Sequence, residues 1–133
     1  MTCRVTFRSD ACRLAEVRKN VRAFLSGCRI DECQAELLVL AIDEACANII
    51  RHAYGGACRP VHLTLTKKKD DTLVVALRDF GKPCDPSMIR SRPLTEVRPG
   101  GVGVHIIRQA FDEVLYLPRA RGTRLVMIKH PPA

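Results

Sequence analysis

The order of hydrophobic periodicities along the chain constrains its fold more than any other feature. Apolar residues recur at helical spacing from Leu14 to Cys28 and again from Leu38 to Ile49. Residues 61–65 and 73–77 instead alternate apolar and polar side chains, which is typical of an antiparallel hairpin. Because no strand–helix–strand unit is repeated, a doubly wound parallel sheet is disfavoured, and we expect an α+β fold.

Shorter signals define the other elements. Ser9 or Asp10 is placed to cap the first helix, and Asp31 is placed to cap the second. The remaining expected elements are a first strand at residues 3–8, a third helix from about residue 101 that turns Val104, Ile107 and Phe111 toward the core, and a second hairpin at 114–117 and 124–129. We therefore predict a single domain over residues 1–133, a two-layer α/β sandwich with a mixed, mostly antiparallel sheet and three helices on one face.

The sequence has no feature of a membrane-spanning or secreted protein. Its longest uninterrupted apolar run, from Leu37 to Ile42, has six residues, whereas a membrane-spanning helix needs about 20. The first residues lead directly into the strand-like segment and lack the apolar region of a secretory signal. We expect a cytoplasmic protein without a membrane partner.

The cysteines do not form a recognisable metal or disulfide pattern. There are seven of them, an odd number, and no C-x-x-C pair occurs. A structural zinc site is therefore disfavoured. We expect these residues to act as small buried hydrophobic side chains in a reducing compartment.

The formal charge of +8 indicates an anionic partner. A nucleotide, a nucleic acid or an acidic protein surface would each satisfy it. Single-stranded nucleic acid needs exposed aromatic residues for stacking, and the chain has no Trp, 2 Tyr and 4 Phe. We therefore expect no direct nucleic-acid contact, and we interpret the run Lys67-Lys68-Lys69 as a solvated hairpin tip.

Three polar residues of the second helix form a ridge. Glu44, Asn48 and His52 are four residues apart, so they drift only about 80° around the helix axis. The ridge lies at the edge of the apolar stripe, where it would line the mouth of a cleft. A solvated helix face explains the same spacing equally well.

Further candidate residues lie at the ends of predicted elements. Asp79 follows the second alternating strand, and Gly81 permits close backbone approach. Four prolines interrupt residues 80–100, and a loop of this length is usually functional or disordered, so we interpret it as a lid. The glycines at 100–103 precede a helix, where free backbone N–H groups favour a phosphate, although a flexible hinge would also use them. Gly122-Thr123 alone indicates a hairpin turn.

These segments, in this order, resemble the ATP-binding superfamily of DNA gyrase, histidine kinases and mismatch-repair ATPases, known as the Bergerat fold. Residues 43–56, DEACANIIRHAYGG, resemble its asparagine box in the version found in anti-sigma-factor serine/threonine kinases. Residues 79–86, DFGKPCDP, resemble the adenine-binding aspartate box. Residues 100–107, GGVGVHII, resemble the second glycine box, and Gly122-Thr123 resembles the closing glycine-threonine.

The resemblance implies a role for each matching residue. Asn48 would ligate a Mg²⁺ ion that bridges the ATP phosphates, and Glu44 would orient or deprotonate the attacking hydroxyl group. Asp79 would accept a hydrogen bond from the adenine amino group, and Gly81 would let the ring approach the backbone. The residues implied in holding the phosphates and closing the pocket are Gly101, Val102, Gly103, Val104 and Thr123. His52 would have a structural role at the helix end.

One residue that differs from the superfamily pattern narrows the resemblance to a subgroup. The wider superfamily has D-x-G-x-G in its aspartate box, and Pro83 replaces the second glycine here, as it does in the anti-sigma kinases. The resemblance thus implies an ATP- and Mg²⁺-dependent kinase that phosphorylates an anti-sigma antagonist protein and, in another partnership, binds a sigma factor. It does not distinguish this anti-sigma branch from the related switch kinases. It leaves a homodimer open. The alternatives are a nucleotide-dependent module that sequesters its partner without phosphate transfer and a small nucleic-acid-binding protein.

Overall fold

The computed structural model describes residues 1–82 and 101–132, and its elements follow the predicted order. They are strand β1 (Thr2–Arg8), a 3-10 turn (Ala11–Arg13), helices α1 (Leu14–Ser26) and α2 (Glu32–His52), strands β2 (Pro60–Lys67) and β3 (Leu73–Asp79), helix α3 (Gly101–Ala110), and strands β4 (Glu113–Pro118) and β5 (Thr123–Lys129). The predicted α+β class is confirmed. That residues 1–133 form a single domain stays a prediction.

In the described ranges, the sheet has five strands in the order β1-β2-β3-β5-β4. The four pairings between these strands are all antiparallel. Strand β3 lies at the centre, and its pairing with β5 sets Asp79 directly opposite Thr123. Two residues 44 positions apart in sequence (123 − 79) are therefore neighbours at one end of the sheet.

Short polar contacts begin and join the helices. The predicted cap of the first helix is wrong, because the Asp10 carboxylate accepts a hydrogen bond from the Cys12 N–H and so caps the 3-10 turn, while α1 follows Arg13 without a side-chain cap. The predicted cap Asp31 does begin α2, since it accepts a hydrogen bond from the Cys33 N–H. Such contacts satisfy donors that have no partner within a helix. Arg18 forms an ion pair of 2.8 Å with Asp43, which joins α1 to α2.

The core lies between the inner face of the sheet and the three helices. The predicted stripe of α2 is confirmed, because Leu38, Ala41, Ile42, Ala45 and Ile49 are all buried. On α1 the predicted stripe is buried except for Leu14, which is half-buried. The sheet, α3 and the residue after α3 contribute the other buried residues of this core, which are Leu63, Leu65, Val75, Leu77, Leu125, Met127, Ile107 and Phe111. Removing this apolar surface from water is the main term that favours the fold.

The prediction that the cysteines are buried is wrong for half of those described. Cys28 and Cys46 are buried and Cys3 is half-buried, but Cys12, Cys33 and Cys58 are exposed. The exposed residues lie in first helical turns or in the connection before β2, where no opposing layer covers them. All six described cysteines are free thiols, and Cys84 lies outside the described residues. Burial raises the pKa of the Cys46 thiol well above its usual range.

Within the described ranges, no group of three or more His, Cys, Asp or Glu side chains is arranged to hold a metal ion by itself. The same part of the chain contains no helix with both the length and the apolar character that crossing a membrane requires. The assignment to the cytoplasm stays a prediction.

Candidate functional site

Helix α2 carries the predicted polar ridge along its half-covered side. Glu44 and Asn48 are half-buried, next to the buried Ala45 and Ile49. His52, at the last residue of the helix, is exposed. The first two residues of the ridge therefore lie at the edge of the core, as the sequence indicates, whereas His52 lies in solvent.

An arginine joins the two half-buried ridge residues. Arg51 Nη2 donates a hydrogen bond to Glu44 Oε1 at 2.7 Å and another to Asn48 Oδ1. The sequence analysis did not single out Arg51, although its spacing of three and seven residues from these partners places it on the same helix face.

The two oxygens that Arg51 contacts are of the kinds that also bind metal ions. One carboxylate oxygen and one amide oxygen converge on a single cationic nitrogen. Hard cations such as Mg²⁺ prefer oxygen ligands of these two kinds and complete their coordination with water and phosphate oxygens. The amide oxygen of Asn48 is therefore a donor that fits Mg²⁺, with the Glu44 carboxylate beside it.

Asp79 is a buried acid at the end of the central strand. Its side chain is almost fully covered, at 4% exposure of the residue. The carboxylate accepts hydrogen bonds from the backbone N–H groups of Gly81, at 3.1 Å, and Thr123. Burial nevertheless raises the pKa of Asp79, although these hydrogen bonds and the charge of Arg78 act in the opposite direction. A buried acid whose pKa is raised in this way is typical of a binding site.

Two glycines allow the end of β3 to fit between its neighbours. A Cβ atom at Gly81 would lie 2.0 Å from the Ala53 carbonyl oxygen, and one at Gly122 would lie 2.1 Å from the Asp79 carbonyl oxygen. Gly122 also has a φ of 84°, which disfavours other residues. Both glycines are thus required by contacts within the chain. That Gly81 also admits an adenine ring stays a prediction.

Tyr54 connects the end of α2 to the end of β3. Its hydroxyl group donates to the Pro60 carbonyl at 2.7 Å and accepts from the Phe80 backbone N–H at 2.8 Å. A third hydrogen bond runs from the Lys82 N–H to the Ala53 carbonyl at 2.8 Å. These contacts fix the distance between the helix that carries Glu44 and the strand that carries Asp79. The sequence analysis gave Tyr54 no role of its own.

The predicted phosphate-binding segment is described only in part. Helix α3 begins at Gly101, as predicted, and packs against α2. Gly103 lies in its first turn, together with Val102 and Val104, whose side chains lie outside the description. The proposed lid at residues 80–100 is described only at Phe80, Gly81 and Lys82, so its role stays a prediction.

The fold and the site together define a class. In the described residues, an antiparallel sheet lies under three helices, with an acid buried at the end of the central strand and half-buried side-chain oxygens on a neighbouring helix, as in an ATPase-type nucleotide-binding domain. The family model described as the histidine kinase-like ATPase domain matches residues 7–129. The chain belongs to this family, and the predicted family resemblance is confirmed.

A curated relative and two solved structures resemble the chain. Serine/threonine-protein kinase BtrW of Bordetella bronchiseptica is 31% identical over 98 residues, which cover 70% of this chain and 68% of that protein. The structure of the RsbU and RsbW domains of Rv1364c from Mycobacterium tuberculosis superposes with a TM-score of 0.74 at 17% identity. It covers the whole of this chain, which spans 34% of that protein.

The second structure is the histidine kinase domain of the blue-light activated histidine kinase EL346 from Erythrobacter litoralis. It has a TM-score of 0.58 at 15% identity over 90% of this chain and 60% of its own. At these identities, the two structural likenesses show the fold alone.

The close approach at Gly81 predicts a large effect of a small substitution. Gly81→Ala should lower the free energy of unfolding by about 1–3 kcal/mol, because the Ala53 carbonyl has to move to admit a methyl group. Gly27→Ala is the matched control, since its added Cβ would lie at an ordinary 3.5 Å from the Phe24 carbonyl oxygen. Urea unfolding measures both variants, and an equal effect of the two would contradict the packing argument.

The raised pKa of Asp79 predicts its titration behaviour. In a ¹³C NMR titration of carboxyl groups, Asp79 should titrate above the usual Asp value, because burial disfavours its charge. The exposed Asp70 should titrate below it, because the Thr72 N–H hydrogen-bonds to its carboxylate. The contribution of Asp79 to stability is full below the usual Asp pKa and is lost as the pH rises through its folded-state pKa. Titration of Asp79 at or below Asp70 would contradict this.

Proposed function

We propose that the chain is an ATP-binding serine/threonine protein kinase that phosphorylates an anti-sigma antagonist protein and, in another partnership, binds a sigma factor. The observation that carries the proposal is the convergence of Glu44 and Asn48 on one cation at the edge of the core. Membership in the histidine kinase-like ATPase family supports nucleotide binding. Similarity to a relative named as a serine/threonine-protein kinase supports phosphate transfer to a protein.

Each site residue has a separate task in this proposal. The amide oxygen of Asn48 holds Mg²⁺, which when bound neutralises the charge of the ATP phosphates. The Glu44 carboxylate accepts the proton of the attacking hydroxyl group and orients it. Phosphoryl transfer depends on such positioning and charge neutralisation more than on covalent participation by the protein.

The base of ATP is assigned to the other end of the site. The Asp79 carboxylate accepts a hydrogen bond from the adenine amino group, and Thr123, directly opposite on β5, closes the pocket beside it. The backbone at Gly101, Val102, Gly103 and Val104 faces the phosphates, because the start of a helix favours anions. The support for this assignment is the cost of burying Asp79, which a bound hydrogen-bond donor would offset.

A second function is favoured by one observation. The carboxylate of Glu44 is already engaged by Arg51, which competes with any hydroxyl group for that oxygen. A nucleotide-dependent module that sequesters its partner would not need a free Glu44, because it transfers no phosphate. The two functions differ in whether phosphate is transferred to a protein.

Asp79→Asn tests the adenine pocket. It should weaken ATP binding by about 100-fold, because an amide is a poorer acceptor for the adenine amino group and presents an N–H₂ group to one of two backbone donors. The matched control is Asp70→Asn at the tip of the β2–β3 hairpin, which should bind ATP like the wild type. Isothermal titration calorimetry measures the affinity, and circular dichroism checks the fold. Unchanged affinity in Asp79→Asn would exclude this pocket.

Glu44→Gln separates the two candidate functions. If the chain is a kinase, the variant should transfer phosphate from γ-labelled ATP to proteins of a native cell extract about 10²–10⁴-fold more slowly, because proton transfer is lost. Its ATP affinity should stay within about twofold of the wild type. Glu36→Gln, an exposed glutamate of the same helix, is the matched control. If the wild type labels no protein yet binds ATP, the sequestering module is supported instead.

A further inference from the structure

The outer face of the sheet is the one turned away from the helices. In β3 its residues are Val74, Ala76 and Arg78, which are half-buried, whereas the residues between them are buried. The strand pairings set Arg124 of β5 directly opposite Arg78 and place His62 of β2 on its other side. None of the described residues on this face is buried, so within the described ranges no second layer packs over it.

Arg78 is held in a fixed position on this face without an acidic partner. Its Nη1 atom donates hydrogen bonds to three backbone carbonyls, those of Asp79, Arg121 and Thr123. Its guanidinium carbon lies 4.4 Å from the centre of the Phe80 ring. Among the described residues, its Nε and Nη2 groups donate to no acceptor. These groups are therefore available to a carboxylate, and the planar guanidinium group that carries them is already oriented.

Further arginines surround Arg78 at the end of the sheet where Asp79 lies. Arg124 is exposed directly opposite it, and the exposed Arg119 and Arg121 lie in the turn between β4 and β5. None of these four arginines, which we call the arginine surface, forms an ion pair with a described carboxylate. Like charges directly opposite each other destabilise a sheet, so the pair formed by Arg78 and Arg124 does not stabilise the fold.

Exposed apolar side chains adjoin the arginine surface. Phe80 and Leu115 are 42% and 45% exposed. On β4, Leu117 lies directly opposite Arg124, and Leu115 lies opposite the half-buried Val126. The apolar side chains therefore run along the sheet next to the arginines. Exposed apolar residues bordered by charged ones mark surfaces that bind other proteins.

We propose that the arginine surface binds an acidic segment of a partner protein, whose carboxylates meet the arginines and whose apolar side chains pack on Leu115 and Leu117. Arginine binds carboxylates through paired hydrogen bonds and is enriched in protein interfaces. The formal charge of +8 attracts such a partner over a distance. The surface lies on the side of the sheet opposite α2, so the inference does not rest on nucleotide binding or phosphate transfer.

Other occupants fit the surface less well. A nucleic acid would leave the apolar side chains uncovered, and Phe80 is not a free stacking platform, because Arg78 lies over its ring and His62 lies edge-on to it. A second copy of the chain carries the same excess of positive charge, which opposes its approach. An acidic protein segment satisfies both the charge and the apolar side chains.

The test uses the whole chain and a defined peptide. Fluorescence anisotropy measures how a fluorescein-labelled (Glu-Glu-Leu)₄ peptide binds to the wild type and to the double variant Arg121→Glu, Arg124→Glu. The double variant should bind about tenfold more weakly, because attraction at two positions becomes repulsion. The matched control is Lys19→Glu, Arg29→Glu, which makes the same change of charge at exposed positions in α1 and in the connection after it. It should stay within about twofold of the wild type, and circular dichroism checks that both variants fold.

Two altered peptides test the chemistry of the partner. The uncharged (Gln-Gln-Leu)₄ should bind the wild type about tenfold more weakly than (Glu-Glu-Leu)₄, because no carboxylate meets the arginines. The peptide (Glu-Glu-Ser)₄ should bind about threefold more weakly, because it has no apolar side chain to bury. Leu115→Ser should weaken binding of (Glu-Glu-Leu)₄ but not of (Glu-Glu-Ser)₄. Equal binding of the three peptides by the wild type would overturn the inference.

Three further results would also overturn it. The first is undetectable binding of (Glu-Glu-Leu)₄, or an equal loss in the double variant and its control, which would make the attraction a property of net charge. The second is tighter binding of single-stranded DNA than of the peptide, lost in the double variant, which would assign the surface to nucleic acid. The third is a dimer in analytical ultracentrifugation that the double variant dissociates, since a second copy would then cover the surface.

Discussion

The junction between the end of α2 and the end of β3 is the contact on which the rest of the site depends. Here the Tyr54 hydroxyl group and the Ala53 carbonyl each accept a backbone hydrogen bond from the segment after the strand. Gly81 is needed because any side chain there would meet that carbonyl. The junction holds the helix that carries Glu44 and Asn48 at a fixed distance from a strand that ends in a buried acid. Without it, the two halves of the site would be held only by the general packing of helices on the sheet.

Much of this arrangement could be predicted from the sequence because the signals are local. Hydrophobic spacing gave both long helices and both hairpins, and Asp31 marked the start of α2 because capping uses a residue two positions away. The common face of Glu44 and Asn48 was predicted for the same reason, since residues four apart in a helix lie on one side of it. Asp79 was predicted at the end of an alternating strand, where the structure has it. The binding roles of these residues stay predictions.

The contacts that the sequence did not indicate are mostly long-range or depend on three-dimensional packing. The Phe80 N–H group that the Tyr54 hydroxyl contacts lies 26 positions away in sequence, and no pattern of residues predicts that contact. The spacing of Arg51 from Glu44 and Asn48 could have indicated that it contacts them. A basic residue near the end of a helix is, however, usually explained by the helix dipole alone. Three cysteines were expected in the core because of their residue type, yet each lies where no second layer covers the chain. Burial is a property of the assembled layers, so residue type alone does not determine it.

The pairing of β3 with β5 has a consequence for how the protein is made. Thr123 begins the last strand, and its backbone N–H reaches the Asp79 carboxylate only when β5 has joined the sheet. Among the strands that the structure describes, β4 lies at the edge of the sheet and pairs with β5, so it joins the sheet through β5. A nascent chain that ends before β5 lacks the Thr123 backbone N–H that the Asp79 carboxylate accepts from in the folded sheet. If nucleotide binds beside Asp79 as proposed, binding requires β5 to be in the sheet, and a polypeptide truncated before β5 would gain no protection from the ligand against proteolysis.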